Sequence, residues 1–590
     1  MNEEAVQLLQ EIYGYPEFRV GQQDVIDKVL ARQDTLAIMP TGGGKSICYQ
    51  IPALLFNGLT IVVSPLISLM KDQVDALLEL GIPATYINST LSNGEMHQRL
   101  KNASNGEYKL LYVAPERFQT EEIFYLMQSV EVPFIAIDEA HCISQWGHDF
   151  RPSYLSLCET LQSIHPRPTI LALTATATPV VSDDILRLLG IAPDNRVKTG
   201  FSRENLAFQV VKGQDRNRFL LEYLKVNRTQ SGIVYASTRK EVERIYELLL
   251  TKGIQAGKYH GGMKESERND AQEKFLYDKV TVMVATNAFG MGIDKSNVRF
   301  VIHYQIPKNI EAYYQEAGRA GRDGLDSDAI LLFSPQDMQI QQFFIDQSEM
   351  EESLKKYEYK KLREMAQYGS TQMCLQRFIV RYFGEDCEDC ERCSNCLDDR
   401  DEVDITLEAQ KVLSCVKRMG QTFGKAMIMK VLTGSKDQKM KQWDFEELST
   451  YGLMKGMPQK EVTQLIDYLT AEKYLAPTDG QFPILKITNT GVSVLKGELK
   501  VSRKQAQVAE KVAVDDALFD ELRGIRSLLA SEHKVPPYII FSDESLREMC
   551  QKLPQTDTEL LTVKGVGENK LEKYGAYFLD ALKKAEAVKG

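Results

Sequence analysis

The sequence predicts an α/β chain, with two tandem parallel-sheet domains followed by smaller, mostly helical modules. Three observations carry that prediction: apolar runs alternate with helical stretches twice over, a glycine-rich turn follows the first run, and a cysteine cluster lies behind the second series. Parallel strands are covered on both faces and so read as continuous apolar runs. Their alternation with helical stretches marks parallel sheets. In residues 1–204 the runs are 36–39, 61–64, 110–114, 134–138 and 170–174. In 205–342 they are 233–237, 280–286, 299–304 and 329–333.

The first run, Leu36-Ala-Ile-Met39, leads into Pro40-Thr41-Gly42-Gly43-Gly44-Lys45-Ser46, and an apolar stretch from Ile47 to Phe56 reads as a helix. Strand, glycine turn and helix N-terminus together make a phosphate cradle, because amides and helix dipole both point at the anion. Lys45 is expected on the β/γ-phosphates and Ser46 on Mg²⁺. The strict pattern has Gly where Met39 stands. A plain tight turn is the competing reading, and the complete Thr-Gly-Gly-Gly-Lys-Ser run after a strand argues against it.

A second run, Phe134-Ile-Ala-Ile137, ends in Asp138-Glu139-Ala-His141. Ligands gather at the C-terminal ends of parallel strands. Asp138 is expected to hold Mg²⁺, Glu139 to orient and deprotonate a water, and His141 to couple nucleotide to track. Alone, two acids after a strand would merely cap the next helix. With a phosphate loop upstream, they point to an ATPase.

At 590 residues the chain is too long for one core. The acidic start, Met1-Asn-Glu-Glu4, does not read as a signal peptide. No run of about eighteen apolar residues occurs, so no membrane span is expected. Of ten cysteines, Cys48, Cys142, Cys158, Cys415 and Cys550 are isolated, and the rest cluster between 374 and 396. That fits a reducing cytosol with one metal site rather than a disulfide framework. Net charge is −11, but residues 405–505 hold 16 Lys+Arg against 10 Asp+Glu, a basic island suited to a polyanion.

Further blocks carry a family resemblance: Phe18-Arg19-Val-Gly-Gln22, Ser64-Pro-Leu-Ile-Ser-Leu-Met-Lys-Asp-Gln73, Ala114-Pro-Glu-Arg117, Leu173-Thr-Ala-Thr-Ala177 and Gln315-Glu-Ala-Gly-Arg319-Ala-Gly-Arg322-Asp-Gly324. With Ser144-Gln-Trp146-Gly-His148-Asp-Phe150-Arg151-Pro152, a loop that general superfamily-2 helicases lack, the chain resembles RecQ-family DNA helicases over residues 5–585. The resemblance implies two RecA-like domains. It implies that Tyr15 stacks on adenine, that Arg19 and Gln22 read it, and that Thr41, Gly42, Gly43, Gly44, Lys45 and Ser46 bind phosphates. Arg319 and Arg322 would face the γ-phosphate from the second domain, with Arg322 as arginine finger. Salt bridging is the bland alternative for this pair. The stretch Thr286–Asp294, and the loop residues His141, Trp146, His148, Phe150 and Arg151, would couple DNA to hydrolysis. Aromatic stacking on single-strand bases contributes about 1–3 kcal/mol per base. A lone Trp is more often core, but its polar, Gly-flanked setting favours a loop role.

The cysteines are Cys374, Cys387, Cys390, Cys393 and Cys396, and repeated Cys-x-x-Cys is a zinc signal rather than a redox pair. The family's run ends in Cys-Leu-Asp, matching Cys396-Leu397-Asp398. The resemblance therefore implies Cys374, Cys390, Cys393 and Cys396 as zinc ligands, with Cys387 surplus. It also implies a zinc-binding subdomain at 343–402 and a duplex-gripping winged helix at 403–500. The winged helix takes basic character from Lys411, Lys417, Arg418, Lys425, Lys436, Lys439 and Lys441. A linker is expected at 501–514, and a small all-α HRDC domain at 515–590 with a turn at 563–567. The implied activity is an ATP-dependent 3′→5′ DNA helicase using ATP, Mg²⁺ and Zn²⁺ on single-stranded and forked duplex DNA. It would act in the cytoplasm at the nucleoid, with single-stranded DNA-binding protein and a type I topoisomerase as partners. An RNA helicase or a non-unwinding translocase is the nearer alternative, and a non-catalytic DNA-binding regulator the more distant one.

Overall fold

The computed structural model describes residues 3–13, 15–290, 295, 297–478, 483–504, 516–532, 540–541, 543–563, 566 and 570–589. The first sheet comprises β1 (Thr35–Ile38), β2 (Thr60–Val63), β3 (Ala84–Ile87), β4 (Leu110–Val113), β5 (Phe134–Ile137), β6 (Thr169–Thr174) and β7 (Arg196–Lys198). They run parallel in the spatial order β3-β4-β2-β5-β6-β1-β7. The second sheet comprises β8 (Leu206–Lys212), β9 (Ser231–Tyr235), β10 (Ala256–Tyr259), β11 (Val282–Ala285), β12 (Val298–His303) and β13 (Ser327–Phe333). It is also parallel, in the order β10-β11-β9-β12-β13-β8.

This order positions the chemistry. In the first sheet β6 alone separates β1 from β5, so the glycine turn after β1 and the acids after β5 leave the same edge, two strands apart. The strands are wholly buried, which fixes their exits against a rigid core.

Four strands have no counterpart in the apolar runs: β3, β7, β8 and β10. All four are sheet edges. Three are short and carry polar side chains, as in Arg196-Val-Lys198 and Ala256-Gly-Lys-Tyr259. Edges are open to water on one side and blunt themselves against aberrant pairing, so they lose the buried-strand signature.

Behind the sheets, the helices Glu352–Ser370 and Leu375–Tyr382 lead into the cysteine segment. The next module packs the helices Thr406–Arg418, Lys425–Leu432 and Gln459–Ala471 around their own core. Its hairpin pairs the strand Leu475–Pro477 with the strand Leu485–Ile487. The expected 501–514 linker needs correction at its start. Ser502–Lys504 is a strand antiparallel to Glu402–Asp404, and the Tyr468 hydroxyl donates to Ser502 O at 2.6 Å. These bonds close the module, while residues 505–514 lie outside the described set. The C-terminal helices, Asp516–Glu532, Asp543–Lys552 and Ala576–Lys589, surround a separate core including Leu522, Phe541 and Phe578. Most of the expected 563–567 turn lies outside the described residues. Among the described residues no helix is long and apolar enough to cross a membrane.

Candidate active site

The turn after β1 enters the helix Ile47–Leu55 with Ser46 at its N-cap. Gly42 and Gly44 have φ of +82° and +75°, a region that side chains disfavour. A Cβ on Gly44 would lie 2.4 Å from Gln22 Nε2, and one on Gly43 2.9 Å from Pro40 O. The departure at Met39 has a simple cause. Met39 is buried and its amide donates to Thr174 O at 3.0 Å, continuing the β1–β6 ladder, so the turn begins one residue later. Lys45 Nζ lies 3.5 Å from Met39 O. Burial lowers its pKa, Glu139 and Asp138 pull it back up, and Arg322 opposes them.

Asp138 continues β5, its amide donating to Val63 O at 2.9 Å, while Tyr154 Oη donates to Asp138 O at 2.9 Å. Burial, then the Glu139 charge, pushes the pKa of the Asp138 carboxyl up. Glu139 is left-handed, φ +50° and ψ 44°, a strained setting for a side-chain-bearing residue that swings its carboxylate off the strand line. For its carboxyl, burial works against the charge. The His141 hydrogen bond and charge outweigh it and hold the group below the usual carboxylate range. His141 Nδ1 lies 3.3 Å from Glu139 Oε2 and 3.0 Å from Thr174 Oγ1 at the end of β6.

The second sheet supplies the facing wall. Its helix Ile310–Ala317 runs into the turn Gly318-Arg319-Ala320-Gly321-Arg322. A Cβ on Gly42 would sit 3.4 Å from Arg322 Cα, so the phosphate loop and the arginine turn are in contact. Arg319 is buried, and its Nε has no hydrogen-bond partner among the described residues. Its charge acts on Glu139, and a buried cation with an unpaired donor on this wall of the cleft fits a polyphosphate.

The expected adenine readers sit behind the loop. Arg19 Nη1 donates to Gly42 O at 2.6 Å, and Gln22 Nε2 donates to Gly44 O at 2.9 Å. Gln22 Oε1 accepts from the Arg19 amide at 2.8 Å. Both side chains thus brace the cradle, while Tyr15 is 52% exposed with its ring open to solvent.

The loop after the acids is docked rather than free. His148 stacks on His141 with centroids 4.2 Å apart, and its Nε2 meets Gln315 Oε1 at 3.3 Å on the second lobe. Burial, then the His141 charge, drives the His148 pKa well below its usual value. Trp146 is half-buried, edge-on to Tyr357 at 5.2 Å. Lys361, 1% exposed, donates to Trp146 O at 2.9 Å, and Lys308 donates to His148 O. Arg151 Nη1 donates to Pro65 O at 3.2 Å and its Nη2 pairs with Asp149 at 3.1 Å. Phe150 is half-buried beside it. Within Thr286–Asp294, residues 291–294 lie outside the described set.

Sequence reasoning missed Arg203, Lys308, Asn205 and Lys361 as participants, and it gave Gln315 no role beyond opening a motif. Each is a single polar residue in a polar stretch or helix, and only the closed lobes reveal its partners.

In the cysteine segment the sulfurs of Cys374, Cys390, Cys393 and Cys396 all lie within 4.8 Å of one another. Amides aim at them: Leu375 N donates to Cys393 Sγ at 3.3 Å, and Cys390 N to Cys374 Sγ at 3.3 Å. Four sulfurs with amide donors suit a tetrahedral thiolate site. Cys387 is outside this group.

Comparison with known families places the two sheets in the helicase class. Residues 19–184 match the DEAD/DEAH box helicase family and 215–324 the helicase conserved C-terminal domain. Residues 335–397 match the RecQ zinc-binding domain, 399–512 the RQC domain and 515–582 the HRDC domain. The chain is 55% identical to the ATP-dependent DNA helicase RecQ of Bacillus subtilis, over 98% of each chain. It is 40% identical to the Pasteurella multocida and Haemophilus influenzae proteins of the same name, covering 95% and 96% of them and 100% and 99% of itself. The chain belongs to the RecQ helicase family.

Proposed function

We propose that this ATP-dependent DNA helicase translocates 3′→5′ on single-stranded DNA and unwinds duplexes in recombination, repair and fork processing. The contact between the Gly42 turn and the Arg322 turn carries the reading. A site made from both lobes lets nucleotide state drive lobe closure, and closure is what a translocating motor converts to movement.

In this reading Thr41 to Ser46 cradle the phosphates, with Lys45 on the β/γ oxygens, and Tyr15, Arg19 and Gln22 flank the adenine. Ser46 and Asp138 would hold Mg²⁺, which when bound neutralises charge between the β- and γ-phosphates. Glu139, held ionised, takes a proton from the water that attacks the γ-phosphorus. The bond to the β–γ bridging oxygen breaks, and ADP and phosphate leave. Arg319 and Arg322 stabilise the charge shed onto the γ oxygens. Cys374, Cys390, Cys393 and Cys396 would hold Zn²⁺ as a structural ion. The loop from His141 to Arg151, with Trp146, His148 and Phe150, reports DNA occupancy to Glu139 through the His148–His141 stack. We extend the reading to the basic winged-helix lysines as duplex contacts, to the domain limits given above, to action at the nucleoid, and to single-stranded DNA-binding protein and a type I topoisomerase as partners.

The test compares ATP turnover on single-stranded DNA, duplex and RNA, and unwinding of 3′-tailed against 5′-tailed duplexes. Single-stranded DNA should stimulate most, and only 3′ tails should load unwinding. Equal stimulation by RNA would favour the alternative, and unwinding from 5′ tails would overturn the polarity.

A further inference from the structure

We infer that Arg203 and Asn205, in the linker between the two sheets, are positioning residues that set the phosphate loop against the arginine turn. Arg203 is 8% exposed. Its Nη1 donates to Thr41 O at 2.9 Å and Gly318 O at 3.5 Å, and its Nη2 donates to Ala320 O and Gly321 O at 3.2 Å each. One guanidinium therefore joins the first lobe's glycine turn to three carbonyls of the turn that bears Arg319 and Arg322. Those carbonyls follow the helix Ile310–Ala317, where backbone acceptors lack helical partners and the dipole favours a cation. Asn205 Nδ2 takes the same turn from the other side, donating to Gly321 O at 2.8 Å and Leu325 O at 3.0 Å.

The glycines of the turn are what the clasp requires. A Cβ on Gly321, which has φ +65°, would lie 2.4 Å from Asn205 Nδ2. A Cβ on Gly318 would lie 2.9 Å from Tyr314 O and 3.3 Å from Thr41 Cβ. The clasp is itself anchored. Arg203 N donates to Gln376 Oε1 at 3.2 Å, Gln376 Nε2 donates to Ser202 Oγ at 2.7 Å, and Phe201 stacks on Phe383 at 4.2 Å. Gln376 lies two residues past Cys374, so the cysteine module holds the linker that holds the turn. The side-chain bonds of Arg203 all go to backbone carbonyls, so it acts through Arg322 rather than on phosphate.

This inference rests on Arg322 being the finger, and a double-mutant cycle separates the two. Arg203→Lys keeps the charge and loses the planar fork. It should lower DNA-stimulated kcat by up to about 100-fold, the cost of an ångström-scale misplacement, with little change in KM for ATP. In an Arg322→Ala background it should cost almost nothing more, because residues that act as a unit are non-additive. Asn205→Ala should show the same pattern with a smaller loss, and it decides the matter if Arg203→Lys does not fold. A merely structural role would lower melting temperature and active fraction while leaving the two losses additive. Wild-type kcat in Arg203→Lys, or additivity with Arg322→Ala, overturns the clasp. Unchanged kcat in Arg322→Ala itself would remove the finger reading and the clasp with it.

Discussion

The two sheets share a parallel design, yet they bring chemistry to the cleft in different ways. In the first, strand ends do the placing: the glycine turn leaves β1, the acids leave β5, and Thr174 at the end of β6 orients His141 between them. In the second, the cleft is met by a turn after a helix, and that turn is held by side chains of the linker as well as by β12, whose Val298 O accepts from Gly321 N at 2.9 Å. A strand-end site is rigid whether or not the lobes meet. The clasped turn is set against the glycine turn only while they do, through the Arg203–Thr41 bond. On the proposed reading, the first lobe owns nucleotide binding and water activation. The second lobe contributes only at closure, where DNA can control it.

The sharpest way to break that comparison lies within the first lobe. Lys45→Ala should abolish hydrolysis and weaken ATP binding, since it removes the cation from the cradle. Glu139→Gln should still bind Mg·ATP while turnover falls by about 10²–10⁴-fold, the usual worth of a positioned general base. Equilibrium binding of a fluorescent ATP analogue beside steady-state hydrolysis separates the two. Near-normal turnover in Glu139→Gln would end the assignment.

How much of this was readable in advance follows the same division. The buried strands and their motifs were legible because burial on both faces leaves an apolar run and the glycine turn has a fixed chemistry. Edge strands β3, β7, β8 and β10 were not, because half-solvated backbone needs no such run. The arginine turn was visible as a motif, but Arg203 was not. A lone arginine in Phe201-Ser-Arg203-Glu-Asn205 shows no period, and its partners lie 115 or more residues away at Gly318, Ala320 and Gly321. Likewise the block from Phe18 to Gln22 was legible as a motif, whereas the bonds of Arg19 and Gln22 to the cradle's own carbonyls depend on the folded turn.

A second test sharpens the contrast from behind the linker. Cys390→Ser, Cys393→Ser or Cys396→Ser should lose zinc and much soluble protein, because metal binding at such a site is folding free energy. Cys387→Ser should keep both, since its sulfur lies outside the gathered four. Metal analysis of the purified variants decides: full zinc in Cys393→Ser, or zinc lost in Cys387→Ser, contradicts the ligand set.

The smallest expected effect concerns the loop that touches both lobes. Trp146 packs edge-on against Tyr357, while its own carbonyl is held by the buried Lys361. Trimming the indole leaves that backbone tether and the His148–His141 stack in place, so the path to Glu139 keeps its geometry and loses its aromatic sensor. Trp146→Ala should therefore reduce DNA-stimulated turnover far more than DNA-free turnover, and unwinding should fall with the stimulation. Loss of the aromatic pair alone is worth only about 0.5–1.5 kcal/mol, so the melting temperature should move by a few degrees at most. A Trp serving only the core would instead lower DNA-free activity and melting temperature together. That joint loss, or stimulation and unwinding equal to wild type, would mean that the docked loop is scaffold and that DNA is sensed elsewhere.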